Sequence, residues 1–280
     1  MLDLFGPVLR SRRAASVSAA GGKTVASSLT QVDIQQMRDQ VFFEGPERKR
    51  RLSRYWLLLL LSAVIASAGV VSDSTAVVIG AMIIAPLMTP VLGVVLGVVL
   101  TDATNLRRCL LLLVAGAAAV VAVSWLLGHL VPHPVVAATN SQVAARVTPR
   151  IVDLVAALAT GSVGSVALAR PDVSDTLPGV AIAISLVPPL VVVGLTLQSR
   201  APGQSLGALL LFATNVAAIL ASGIVVMALY RAGRISGQTT APAFQRPVAV
   251  VIIVSLLLAC WSLCGSTRTG LTRPRSGKAR

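Results

Sequence analysis

The chain has 280 residues and a mass of 28.8 kDa, with 55% hydrophobic residues, only 12% charged residues and a mean hydropathy of +0.83. A soluble surface needs about twice that charged fraction, so a soluble enzyme, a disordered chain and a secreted disulfide scaffold are all poor fits. The formal charge of +14 is concentrated at the two ends of the chain, which suits membrane-flanking anchors better than a nucleic-acid surface, and with 4% aromatics there is little for base stacking to use.

Residues 1–54 read as a basic N-terminal region. Arg10, Arg12 and Arg13 are followed by small and polar residues rather than an apolar run, so no signal peptide is expected. Over 31–43, Ile34, Met37, Val41 and Phe42 recur at helical spacing, and Gly45-Pro46 ends the pattern. This short amphipathic helix is expected either to lie on the membrane surface, with Phe42 and Phe43 dipping in, or to dock on the bundle. The cluster Arg48-Lys49-Arg50-Arg51, then Arg54, predicts a cytoplasmic N-terminus ahead of the first span.

Residues 55–264 read as a transmembrane bundle, because 55–72, 74–101, 109–145, 176–199, 201–230 and 247–267 carry no charge and a span needs about 20 apolar residues. The first half, 55–130, holds a span over 55–71 with Tyr55 and Trp56 at its start, a segment over 74–100 interrupted by Pro86 and Pro90, and a span over 109–130. Residues 131–150 form a Pro-containing connection with room for a short interfacial helix. The second half, 151–230, holds a span over 151–169, a segment over 176–198 interrupted at Pro188-Pro189, and a span over 206–230. A last span is expected over 247–264, and 265–280 reads as a basic, disordered tail. Seven crossings are expected, with six as the alternative. The basic tail leaves the side of the C-terminus open.

The two halves suggest an all-α polytopic bundle with an internal three-segment repeat and two Pro-broken helices. Asp73-STAVVIGAMIIA-Pro86 and Asp175-TLPGVAIAISLV-Pro188 each set an Asp ahead of a Pro at the same spacing in an uncharged segment. A broken helix in lipid must hide its freed carbonyls in protein or a water-filled cavity. Transporters use such pairs near the bilayer midplane. A static kink, or a re-entrant hairpin, fits the same residues.

The candidate transport or cavity residues are therefore Asp73, Gly80, Pro86, Pro90, Asp175, Pro188, Pro189 and Asn215. Asp73 and Asp175 are expected either to cap helix N-termini or to face a cavity, where they would attract a cation or relay a proton. Asn215 is expected to make a helix–helix hydrogen bond before it binds a solute. No cofactor or metal is expected: His129 and His133 have no neighbouring acidic or Cys ligand, and Cys109, Cys260 and Cys264 sit in apolar runs. No hydrolytic, metalloprotease or nucleotide-binding motif occurs in a supporting context, so an enzyme is not expected.

Beyond these patterns, FFEGPERKRRLSRYW at 42–56, SAVIASAGVVSDSTAVVIGAMIIAPLMTPVLG at 62–93 and LPGVAIAISLVPPLVVVG at 177–194 resemble a bacterial integral membrane family carrying the domain of unknown function 389. The resemblance covers about 40–230 and implies a multi-pass protein of the bacterial inner membrane with no established activity. It places Asp73, Gly80, Pro86, Pro90, Asp175, Pro188 and Pro189 inside the family's motifs and names no substrate. Two functions follow as expectations: a transporter or channel for an ion or small solute, or a structural or signalling protein acting through a partner. The expected partners are the bilayer, an ion or small solute, or a second copy of the chain, and not nucleic acid.

Overall fold

The computed structural model describes residues 31–169 and 186–232, and every regular element among them is helical. Asp175, the span expected over 247–264 and the basic tail lie outside the described residues. In chain order the helices are α1 (Gln31–Val41), α2 (Arg48–Val71), α3 (Thr75–Ile84), α4 (Met88–Val99), α5 (Ala103–Gly128), α6 (Ser141–Ala144), α7 (Ile151–Ala169), α8 (Val187–Gln198) and α9 (Pro202–Ala232). Helices α2, α5, α7 and α9 are each long and apolar enough to cross a membrane, and α3 with α4 forms a fifth candidate span bent by 47°.

Two spans start earlier than their charge-free stretches. Helix α2 begins at Arg48 rather than Tyr55, because Arg and Lys are good helix formers whose long side chains reach the headgroup layer. Helix α5 begins at Ala103, because Asp102 caps it: the carboxylate accepts the Asn105 amide N–H at 3.1 Å. Helix α7 occupies the expected 151–169. The connection at 131–150 contains only the single turn α6.

The breaks fall where the prolines predict, with one refinement. Pro86 lies between α3 and α4, but Pro90 sits in the first turn of α4 and Pro188 and Pro189 sit in the first turn of α8. At those positions a backbone N–H would have no helical acceptor, so proline removes a donor that would otherwise be orphaned. Pro90 and Pro189 are each third in a helix of 12 residues. Each of these short helices also ends near a non-glycine residue in the left-handed region, Thr101 (φ 57°) and Arg200 (φ 56°).

The bent pair crosses the bundle rather than returning to its starting face. Asp73, at its start, bonds to Ser141 and Gln142 in the connection that follows the C-terminal end of α5. Asp102, at its end, caps the N-terminus of α5. The 26 residues of α5 separate those two points by about 39 Å.

Helix α1 docks on the bundle. Met37, Val41 and Phe42 are buried in a cluster with Leu92, Val95, Leu96, Cys109, Leu168 and Met227. Its Arg38 bonds Asp102 at 2.9 Å and Glu44 at 3.5 Å, and Arg108 reaches Glu44 at 3.7 Å. This end of the bundle, with Arg48 to Arg54, Arg107 and Arg108, is its basic face.

Candidate functional site

The junction of interest is where α4 and α8 begin. Helix α4 runs antiparallel to α5: Gly93 abuts Cys109, Gly97 abuts Leu106, and Leu87, the cap of α4, lies beside Gly116. Helix α8 runs parallel to α5: Gly194 abuts Val121 and Ser124, and Gln198 abuts Gly128. Stepping back about two turns along both helices brings Val187 to the level of Gly116 as well. Two half-length helices therefore start near mid-height of α5 and run to opposite faces. Leu87, Leu186, Val187 and Leu190 belong to one buried cluster.

Helix α9 gives the same level independently. Ser205 bonds Thr196 at 2.8 Å, and Gly223 packs on Val95. Asn215 lies as far past Ser205 as Leu186 lies before Thr196, and as far before Gly223 as Leu87 lies before Val95. Asn215 is buried, and its amide oxygen has no hydrogen-bond partner, so the helix–helix bond expected of it is not formed by that oxygen. Ser165 Oγ, on α7, is likewise buried and unpartnered.

A cavity of about 550 Å³ leads from the basic face to the break of the first half. Pro86 and Thr89 at the break line it together with Tyr55, Leu58 and Phe43. Arg50, Arg51 and Arg54 stand at its mouth with Asp39 and Glu47. None of its lining comes from α8, where every residue from Val187 to Thr196 is buried.

The remaining candidates lie elsewhere. Asp73 is exposed on the opposite face and does not cap its own helix, whose N-cap is Ser74. With φ at 53°, it turns back to accept Ser141 Oγ at 2.8 Å and the Gln142 N–H at 3.0 Å, so it caps α6. The Ser141 hydroxyl and the Gln142 N–H hold its carboxyl below the usual range. Gly80, on α3, has open space on its Cβ side. His129 bonds only the Trp125 carbonyl, and no group of three or more potential metal ligands occurs among the described residues. Asp153 accepts the Arg150 N–H at 3.1 Å and serves the start of α7.

The arginines at the cavity mouth went unnoticed as site residues, because in sequence they read only as a membrane flank. Asn140 was also missed. It accepts the Val143 N–H and donates to the Val70 carbonyl at 2.7 Å, and an Asn before a helical turn is a readable cap signal.

Residues 82–221 match the domain of unknown function DUF389, and the chain belongs to that family. It is 35% identical over 174 residues to an uncharacterized protein of Methanocaldococcus jannaschii, covering 62% of this chain and 53% of the relative. The chain thus spans about half the length of that relative, and the relative is archaeal, so the expected bacterial origin is not supported by it. No solved structure matches.

Proposed function

We propose that this multi-pass membrane protein is a non-enzymatic transporter or channel, and that its solute, an ion or a small molecule, passes the level at which α4 and α8 begin. The observation that carries the reading is the pair of half-length helices starting near the same level and running opposite ways. Internal repeats that meet through broken helices are a recurring transporter design. The cavity reaching Pro86 and Thr89 supplies an approach from one face, and the buried α8 side is the closed part of the path. The basic face is assigned to the cytoplasm, since Arg48 to Arg54, Arg107 and Arg108 outnumber Arg146, Arg150 and Arg200 opposite. The membrane is assigned as a plasma membrane.

The test is stopped-flow swelling and tracer flux in proteoliposomes across a panel of inorganic ions and small neutral solutes. It is combined with Thr89→Cys and Asn215→Cys probed by water-soluble thiol reagents in a Cys109→Ala/Cys260→Ala/Cys264→Ala background. Flux that falls when Thr89→Trp fills the inner cavity supports the reading. A panel without flux, together with both cysteines shielded from either face, overturns it.

The partner reading rests on α3. This helix packs chiefly on α2 and leaves Val77, Ile79, Ile83 and Ile84 exposed beside the open Gly80. Co-purification of a stoichiometric membrane partner, lost with Gly80→Trp while flux is absent from wild type, would favour it.

A further inference from the structure

We propose that the cavity between α1, α2 and the α3–α4 break is a binding site for an anionic phospholipid. The phosphate would sit among Arg50, Arg51 and Arg54, and the start of one acyl chain would lie along Phe43, Tyr55 and Leu58 toward Pro86. This does not depend on the transport reading.

The cavity is amphipathic along its length. Three guanidinium groups stand at the mouth, aromatic and aliphatic side chains line the wall, and Pro86 and Thr89 line it at the break. The charge balance at the mouth favours an anion. Glu47 is engaged by Arg50 at 3.8 Å, and the Asp39 carboxylate takes a bond from Gln35 at 3.3 Å. Arg51 gives one hydrogen bond to the Asp39 carbonyl, and Arg54 has no hydrogen bond or ion pair among the described residues. An unpartnered guanidinium beside two lightly engaged ones matches a phosphate, which accepts forked, charge-assisted bonds.

Size and position choose lipid over a free inorganic ion. About 550 Å³ has room for roughly eighteen waters and falls in the range of pockets that enclose whole organic ligands. A lone phosphate at the mouth would leave the wall of Phe43, Tyr55 and Leu58 wet, whereas a head with an attached chain covers both parts. The mouth also lies at the interfacial level marked by Tyr55 and Trp56, where headgroups are found. Basic pockets between spans at this depth are suited to anionic heads. Because Pro86 and Thr89 line the cavity, the lipid would rest against the bend of the first half.

The full chain in detergent is titrated with dioleoylphosphatidylglycerol, dioleoylphosphatidylcholine, glycerol phosphate or inorganic phosphate. Bound lipid is counted by native mass spectrometry, and the melting temperature is followed in parallel. The expected result is one retained phosphatidylglycerol and a rise in melting temperature, with neither effect from phosphatidylcholine. The double variant Arg50→Gln/Arg54→Gln should weaken retention roughly tenfold or more, and Arg48→Gln/Lys49→Gln, outside the cavity lining, should not. Leu58→Trp keeps every charge but fills the wall, and should also lose the lipid. Each variant is checked for a monodisperse, helical protein, and Leu58→Trp decides the matter if the double variant does not fold. Equal retention of both lipids, unchanged retention in Leu58→Trp, or a full thermal shift from glycerol phosphate or inorganic phosphate alone would each overturn the lipid assignment. The last of these would identify a soluble phosphate site instead.

Discussion

Helices α4 and α8 have the same length, the same early proline and the same left-handed exit, yet their surroundings differ. The start of α4 borders a cavity and its far end is tied to α1 by the Arg38–Asp102 ion pair. Helix α8 is packed along nearly its whole length, and its far end is held by neutral bonds, Ser199 to the Val135 N–H and Thr196 to Ser205. The surroundings of α4 are thus built with space and charge, and those of α8 with close packing and hydroxyls. A repeated backbone does not impose a repeated environment: the side chains decide which half can admit water or ligand.

The contrast is most easily broken at the helix crossings with α5. A Cβ at Gly194 would stand 2.5 Å from the Val121 carbonyl oxygen and 2.8 Å from the Trp125 nitrogen, both backbone. At Gly93 its nearest neighbour, at 2.6 Å, is the Cys109 sulfur, part of a side chain. Gly194→Ala should therefore destabilise by about 2–3 kcal/mol, and Gly93→Ala by about 1 kcal/mol or less. Thermal unfolding in one detergent checks the ranking, and equal losses would mean that α4 is packed as tightly as α8.

Asp102→Ala should come next, at about 1–2 kcal/mol, since it removes the α5 cap and frees Arg38. Hydrogen exchange should quicken over α1 and leave the Val135–Ser199 contact unchanged.

Thr196→Val should cost about 1 kcal/mol by removing a buried hydroxyl bond. Thr89→Val at the cavity should be close to neutral, because its hydroxyl has no hydrogen bond.

The smallest effect is expected from pH. Burial pushes the Asp102 carboxyl upward, but the Asn105 and Arg38 bonds outweigh it, and the net shift is downward. A carboxyl held lower in the folded protein contributes stability above its unfolded value of about 4, and that contribution disappears as pH falls through the folded value. Acid should therefore loosen α1 and the α4 end while the α8 tethers, which contain no carboxylate, hold. Hydrogen exchange of α1 across pH 3 to 6 measures this, and Asp102→Asn should flatten the response.

Much of this fold was legible from charge-free length alone, because a span is a stretch where no charge can sit. Helix α9 fills the charge-free stretch 201–230 and runs two residues past it, whereas α7 carries Asp153 in its first turn. The starts of α2 and α5 were not legible the same way, since a helix continues past the membrane for as long as its residues favour it and a cap such as Asp102 is present. The breaks were legible from Pro86, Pro90 and Pro188-Pro189, but the sequence comparison of the two halves rested on Asp–Pro spacing. The spatial match is set by where each short helix begins, which a few shared residue types do not encode. Docking of the 31–43 helix was one of two readings, but which bundle residues Phe42 meets, and the cavity beside Arg54, could not be read, because both arise from segments far apart in sequence.

The opposed starts of α4 and α8 have an electrostatic consequence. Peptide dipoles sum along a helix to roughly half a positive elementary charge at its N-terminus, and here two such ends approach one level from opposite sides. At the break the carbonyl end of α3, which stops at Ile84, stands against the start of α4 and offsets part of that potential. With Pro90, Pro188 and Pro189 lacking N–H groups, what is left acts through oriented peptides more than through free donors. A membrane interior made largely of Val, Leu, Gly and Pro is thereby polarised by its backbone, with no need of a cationic side chain.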